Sequence, residues 1–136
     1  MTTKPLYSKE VQLDEAKVVA FAELTGDRNR IHLDAEYAAT TRFKRRIVHG
    51  LLVGAFVSPC LVEAFGDGTI YAGQSFQFLK PVFVDDLVII EFTNLVVIAG
   101  KKVRHVTTKI YSVLDGVKGF EVIVGQASFI PEQALK

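Results

Sequence analysis

Tryptophan is absent from this chain, cysteine and methionine occur once each, and the 16 basic side chains nearly cancel the 15 acidic ones. A single cysteine, Cys60, excludes an intrachain disulfide, and three histidines scattered along the sequence offer no metal-ligand spacing. No metal and no cofactor is therefore expected. A net charge of +1 argues against nucleic acid as a partner, because proteins that track phosphates carry a clear basic excess or a dense basic face. Long hydrophobic runs are missing too. The longest uncharged stretch, between Arg46 and Glu63, is shorter than the roughly 18–20 apolar residues of a membrane span and contains His49, Ser58 and Pro59. The start Met1-Thr2-Thr3-Lys4-Pro5 meets a charge and a proline before any apolar segment, so no export signal is read, and the single cysteine makes a reducing, cytoplasmic setting the expectation.

What is present is 136 residues, 49% of them apolar, enough to bury roughly 65–70% of the unfolded surface in one core. Residues 1–136 are read as a single domain. Asp14 is a good N-cap, after which Val18, Val19, Ala20, Phe21 and Leu24 recur at helical spacing until Gly26. The polar stretch Asp27-Arg28-Asn29-Arg30-Ile31-His32 predicts a loop, and Asp34 is placed to cap a short helix that follows. From Gly50 to Phe65 apolar residues occupy nearly every face, which predicts a buried central helix, kinked near Ser58 by Pro59. Beyond Gly66-Asp67-Gly68, β-branched and aromatic residues predict strands around 69–79, 86–98, 102–114 and 119–130. Short turns at Asp85-Asp86, Gly100-Lys101 and Asp115-Gly116 suit antiparallel neighbours, so the class is α+β.

Chemistry concentrates between Asp27 and Gly50. A curled loop can aim Asp27 and His32 into one cavity, where an acid and an imidazole can share a water and move protons near neutral pH. Asn29 can hold that geometry. A helix starting at Gly50 leaves backbone N–H groups unpaired, and glycine lets an oxyanion approach them.

The run Thr25-Gly26-Asp27-Arg28-Asn29-Arg30-Ile31-His32-Leu33-Asp34, with Phe43 and Ile47-Val48-His49-Gly50, resembles the signature of the MaoC-like (R)-specific enoyl-CoA hydratases. The segment from Tyr71 through Gly73-Gln74-Ser75-Phe76 to Asp86 is similar to the strand and turn that follow in those proteins. The resemblance implies a hot-dog fold, a long antiparallel sheet around a central helix, and a homodimer with sites near the subunit interface. It also implies Asp27 and His32 as the catalytic pair, Asn29 as a supporting amide, Gly50 as the oxyanion-hole amide and Ser58 as a polar residue of the site. The chain departs from the family at Arg30, where proline is usual. Arg30 joins Arg28, Arg42, Lys44, Arg45 and Arg46 in a cluster able to meet the phosphates of coenzyme A or an acidic acyl carrier protein.

Each residue also has a plainer reading. Asp27 and His32 can be solvated or capping, Gly50 a packing glycine, and Ser58 a hydroxyl bonded to its own helix. His49 reads first as a cap or a backbone partner, Cys60 as inert core, and Phe76, Phe78 and Phe83 as core. The activity expected is hydration of a trans-2-enoyl-CoA to the (R)-3-hydroxyacyl-CoA. The alternatives are dehydration on acyl carrier protein, a thioesterase, and a non-catalytic acyl-thioester-binding module.

Overall fold

The computed structural model describes residues 4–136; the reading of Met1 to Thr3 lies outside the described residues. Strand β1 (Tyr7–Gln12) leads into α1 (Glu15–Thr25), two short helices α2 (Arg30–Leu33) and α3 (Ala35–Ala39), then α4 (Gly50–Ala55) and α5 (Val57–Phe65). Four strands follow, β2 (Ile70–Phe78), β3 (Leu87–Val97), β4 (Arg104–Leu114) and β5 (Val117–Ile130). All pairings are antiparallel, in the order β1-β3-β4-β5-β2, so β1 and β2 are the edges. No helix among the described residues is long and apolar enough to cross a membrane.

Local chemistry sets several boundaries. The Asp14 carboxylate accepts the Lys17 N–H at 3.1 Å to start α1, and Gly26, at φ 84°, ends it. Asp115 and Gly116, at φ 52° and 76°, form a turn with two left-handed residues, whose twist matches the β4–β5 hairpin. The central helix differs from its expected form: the break falls at Phe56, not near Ser58. Pro59 has no N–H for the Ala55 carbonyl and its ring crowds that group, so the disruption lands one turn upstream of the proline.

The sheet wraps α4 and α5 as a hot-dog fold. Leu52, Val53, Val57 and Leu61 of the helices pack on Val88, Ile90 and Phe92 of β3, Val106 and Ile110 of β4, and Phe129 of β5. Burial of each such side chain contributes about 1.5–3 kcal/mol. The helix is not enclosed on every side, however. Leu51 is 64% exposed, and Ala55, Ser58 and Val62 lie on the same face, along the free edge of β2. Cys60 is buried as core, and burial pushes its thiol pKa up.

Candidate active site

The segment after α1 is shaped by its own side chains. Thr25 Oγ1 accepts the Asp27 N–H at 3.2 Å, Asp27 Oδ1 accepts the Asn29 N–H at 3.3 Å, and Asn29 Oδ1 accepts the Ile31 N–H at 3.2 Å. The last bond caps α2, so the expected loop is in part a one-turn helix, with Arg30 first in it and His32 on its buried side. Arg46 closes the turn from outside: its Nε donates to the His32 carbonyl at 2.6 Å, and its guanidinium pairs with Glu15 at 2.7 Å.

Residues 46–48 cross beneath this turn in extended form. Val48 N–H donates to Val82 O at 2.7 Å and Ile47 N–H to Ile31 O at 3.2 Å, which brings His49 and Gly50 under α2. His32 Nδ1 lies 2.8 Å from Ile47 O. A carbonyl only accepts, so Nδ1 carries the proton and neutral His32 presents an unprotonated Nε2. His49 bonds in the opposite sense, with Nε2 as donor to Asp27 O at 3.0 Å, which leaves its buried Nδ1 without a partner. The two imidazoles stack, centroids 3.9 Å apart and planes 29° from parallel, and the Phe21 ring packs against His49 at 4.8 Å, tilted by 57°.

A cavity of about 450 Å³ opens over this group, lined by Asp27, His32, His49 and Gly50, with Phe78 on one wall and Arg42 and Lys80 toward the rim. That volume is in the range of small-molecule sites. Burial pushes the His32 pKa below its usual 6.5; the positive ends of His49 and Arg46 push the same way, and the Ile47 bond and Asp27 oppose. An unprotonated nitrogen therefore faces the cavity at neutral pH, beside a carboxylate.

Two of the histidines, which have no metal-ligand spacing in the sequence, come closer in the fold. Folding brings Asp27, His32 and His49 together, with one ligand atom of each within 4.8 Å of the others. An ion bound by both rings must lie near both ring planes, and stacked rings do not converge that way without leaving their bonds to Ile47 and Asp27. The set fits a shared water better, since a water about 2.8 Å from each acceptor spans such a gap.

The other expected residues divide. Gly50 opens α4, its N–H ahead of the first intrahelical bond, from Leu52 N–H to His49 O. A Cβ there would sit 2.7 Å from the Phe78 ring, so the ring packs this closely on the helix start only against glycine. Asn29 caps α2 and does not line the cavity. Arg30 stacks over the Tyr37 ring at 4.1 Å, outside the lining. Ser58 borders a separate open groove with Leu51, Gly54 and Gln74. Of the three phenylalanines read as core, Phe76 packs against it, Phe78 is 53% exposed on the cavity wall, and Phe83 lies under Arg45. His49, read first as a cap or a backbone partner, makes no cap bond, does bond a main-chain carbonyl, and also lines the cavity. Its position directly before Gly50 was the available signal.

Comparison with known proteins agrees with this fold. The sequence model of the MaoC like domain family matches residues 1–114. The chain is 44% identical over 98 residues to the (R)-specific enoyl-CoA hydratase of Aeromonas caviae, covering 71% of this chain and 73% of that one. Among solved structures, the A. caviae (R)-hydratase involved in PHA biosynthesis superimposes with a TM-score of 0.82 at 35% identity, covering 96% of this chain and 98% of that one. The unliganded R-hydratase PhaJ1 of Pseudomonas aeruginosa also scores 0.82, at 36% identity, covering 93% and 79%. The family model spans most of the chain, including the whole segment from Asp27 to Gly50, and this chain belongs to the MaoC-like domain family.

Proposed function

We propose that this protein is an (R)-specific enoyl-CoA hydratase, a hydro-lyase that reversibly adds water to a trans-2-enoyl-CoA to give the (R)-3-hydroxyacyl-CoA. The observation that carries the reading is an Asp27 carboxylate and an unprotonated His32 Nε2 facing one cavity beside the N–H of Gly50. Asp27 and His32 hold a water between them. Its oxygen adds to the β-carbon of the thioester as the pair removes one of its protons. Electrons from the double bond pass to the thioester oxygen, and the enolate accepts the Gly50 N–H. A proton from the pair then reaches the α-carbon, so the elements of water are added and the two groups return to their starting state. Both titrate as one unit, and proton movement belongs to the pair.

Asn29 supports the pair by capping α2 and fixing the Asp27 carboxylate from below. Arg42 and Lys80 at the rim take the phosphates of the carrier, and Arg28 and Arg30, exposed just beyond, add to the field that attracts them. The chain acts as one domain over 1–136, in the cytoplasm, as a homodimer. The dimer is supported by the free edge of β2 and the exposed apolar side chains beside it, Leu51, Val62, Ile70 and Phe78. Joining two copies along that face covers the groove at Ser58 and gives its hydroxyl a place in the assembled site.

The test is turnover of crotonyl-CoA with chiral analysis of the product. Loss of enoyl absorbance with formation of the (R)-3-hydroxy thioester is expected. Release of free thiol instead means a thioesterase, binding without turnover means a carrier module, and activity confined to acyl-carrier-protein thioesters means the dehydratase of fatty-acid synthesis.

A further inference from the structure

We propose that His49 is a positioning residue for the Asp27–His32 pair, acting through its ring on one and through its Nε2–H on the other. The inference rests on the hydratase reading of the site. Three observations converge on it. First, the ring stacks on His32 at 3.9 Å and is itself packed against Phe21, tilted 57° to it at 4.8 Å, so His32 lies against a ring that is held in place. Second, the Nε2–H bonds the main-chain carbonyl of Asp27 at 3.0 Å, which ties the exposed carboxylate-bearing turn to the start of α4. Third, Nδ1 is buried with no partner, although the residue stands at the N-cap of α4, where a histidine could turn to satisfy the helix.

The third observation separates positioning from packing. A phenylalanine would fill the same space without burying an unpaired nitrogen. The ring keeps its donor toward Asp27 and gives up the cap. Its geometry also couples the two ends of the site, because His49 immediately precedes Gly50 in the chain. The carboxylate, the imidazole and the oxyanion N–H are thus referred to one buried side chain. The charged and titratable groups around it are Asp27 from the turn, His32 from α2, Arg46 bonded to the His32 carbonyl, and Arg42 lining the cavity; α1 contributes Phe21.

Two variants divide the roles in the full-length chain. His49→Phe keeps the ring and loses the donor, whereas His49→Gln keeps an N–H at the reach of Nε2 and loses the stack. His49→Phe is expected to lower kcat for crotonyl-CoA about 10–100-fold with KM within about twofold, since misplacement of reacting groups is felt in the transition state. His49→Gln is expected to recover only part of that loss, because the stack on His32 is gone, while moving the acid limb of the pH profile upward, because a neighbour that disfavours protonation of His32 has gone. Unchanged kcat in His49→Phe, or equal losses in both variants that simply follow their thermal stability, overturns the proposal. Nitrogen NMR of the wild-type imidazoles near neutral pH is a second readout that needs neither variant nor turnover. Nδ1–H on His32 and Nε2–H on His49 are expected, and the opposite tautomer on His49 overturns the proposal even if the protein hydrates crotonyl-CoA. A wild type that fails to turn over crotonyl-CoA refutes the hydratase reading instead, and the tautomers still decide whether His49 holds Asp27.

Discussion

His32 and His49 lie face to face yet bond in opposite senses, His32 through Nδ1 to the Ile47 carbonyl and His49 through Nε2 to the Asp27 carbonyl. Each ring thereby has one nitrogen committed to the main chain. In His32 the free nitrogen faces the cavity beside Asp27; in His49 it is buried.

Asp27→Asn and His32→Ala should each lower turnover by about 10²–10⁴-fold while leaving the fold intact, because each removes a proton-transfer group from a short segment. The double variant should lose far less than the product of the two, since both act on one water. Steady-state kinetics with circular dichroism checks both statements.

Activity should fall on the acid side with a midpoint below pH 6.5, because burial lowers the folded pKa of His32 and the protonated ring cannot accept a proton. The same shift links to stability. Below about 6.5 the unfolded chain takes up a proton that the folded one still refuses, so the contribution is intact above that pH and fades as pH falls toward the folded pKa. A kcat/KM profile and denaturant unfolding on both sides of pH 6.5 test the sign.

Gly50→Ala should lower kcat/KM by about tenfold or more, because its methyl would sit 2.7 Å from Phe78 and push the ring across the oxyanion position. Gly50→Ala combined with Phe78→Ala should recover part of the loss. Additive losses in the double variant would argue against this contact.

Arg30→Pro should fold and turn over, with a stability change within about 1 kcal/mol. Arg30 is the first residue of α2, where proline is favoured and the N–H precedes any intrahelical bond, and Asn29 at φ −55°, ψ 130° already has the backbone that a following proline requires. The stack on Tyr37 is what the substitution gives up. Arg42→Ala and Lys80→Ala should raise KM for crotonyl-CoA at low salt and leave a cysteamine thioester, which has no phosphate, unaffected. Thermal unfolding and kinetics at two ionic strengths decide both points.

Sedimentation at micromolar concentration should give a dimer, and Leu51→Glu with Val62→Glu should give a monomer of lower activity, since these residues form the exposed apolar face beside β2. A wild-type monomer, or an equally active monomeric variant, would contradict this assembly.

The starts of α1 and α3, the stop at Gly26 and the turn at Asp115-Gly116 were legible in the sequence because they depend on bonds within a few residues. Asp14 and Asp34 cap, Gly26 terminates, and Asp115-Gly116 turns with no help from distant chain. The segment from Asp27 to Gly50 was legible for the same reason, being a dense local pattern of groups that move protons. The tertiary structure decided what those groups meet. His49 reaches His32 and Asp27 only because residues 46–48 pair with residues 82–84, far along the chain. Phe78 became a cavity wall, not core, because β2 is an edge strand, and Ser58 turned outward because the sheet covers only one side of the broken helix. An apolar residue in a periodic pattern looks the same whether its face meets its own sheet, a ligand or another copy. Burial is a property of the second surface, and the sequence by itself carries only the first.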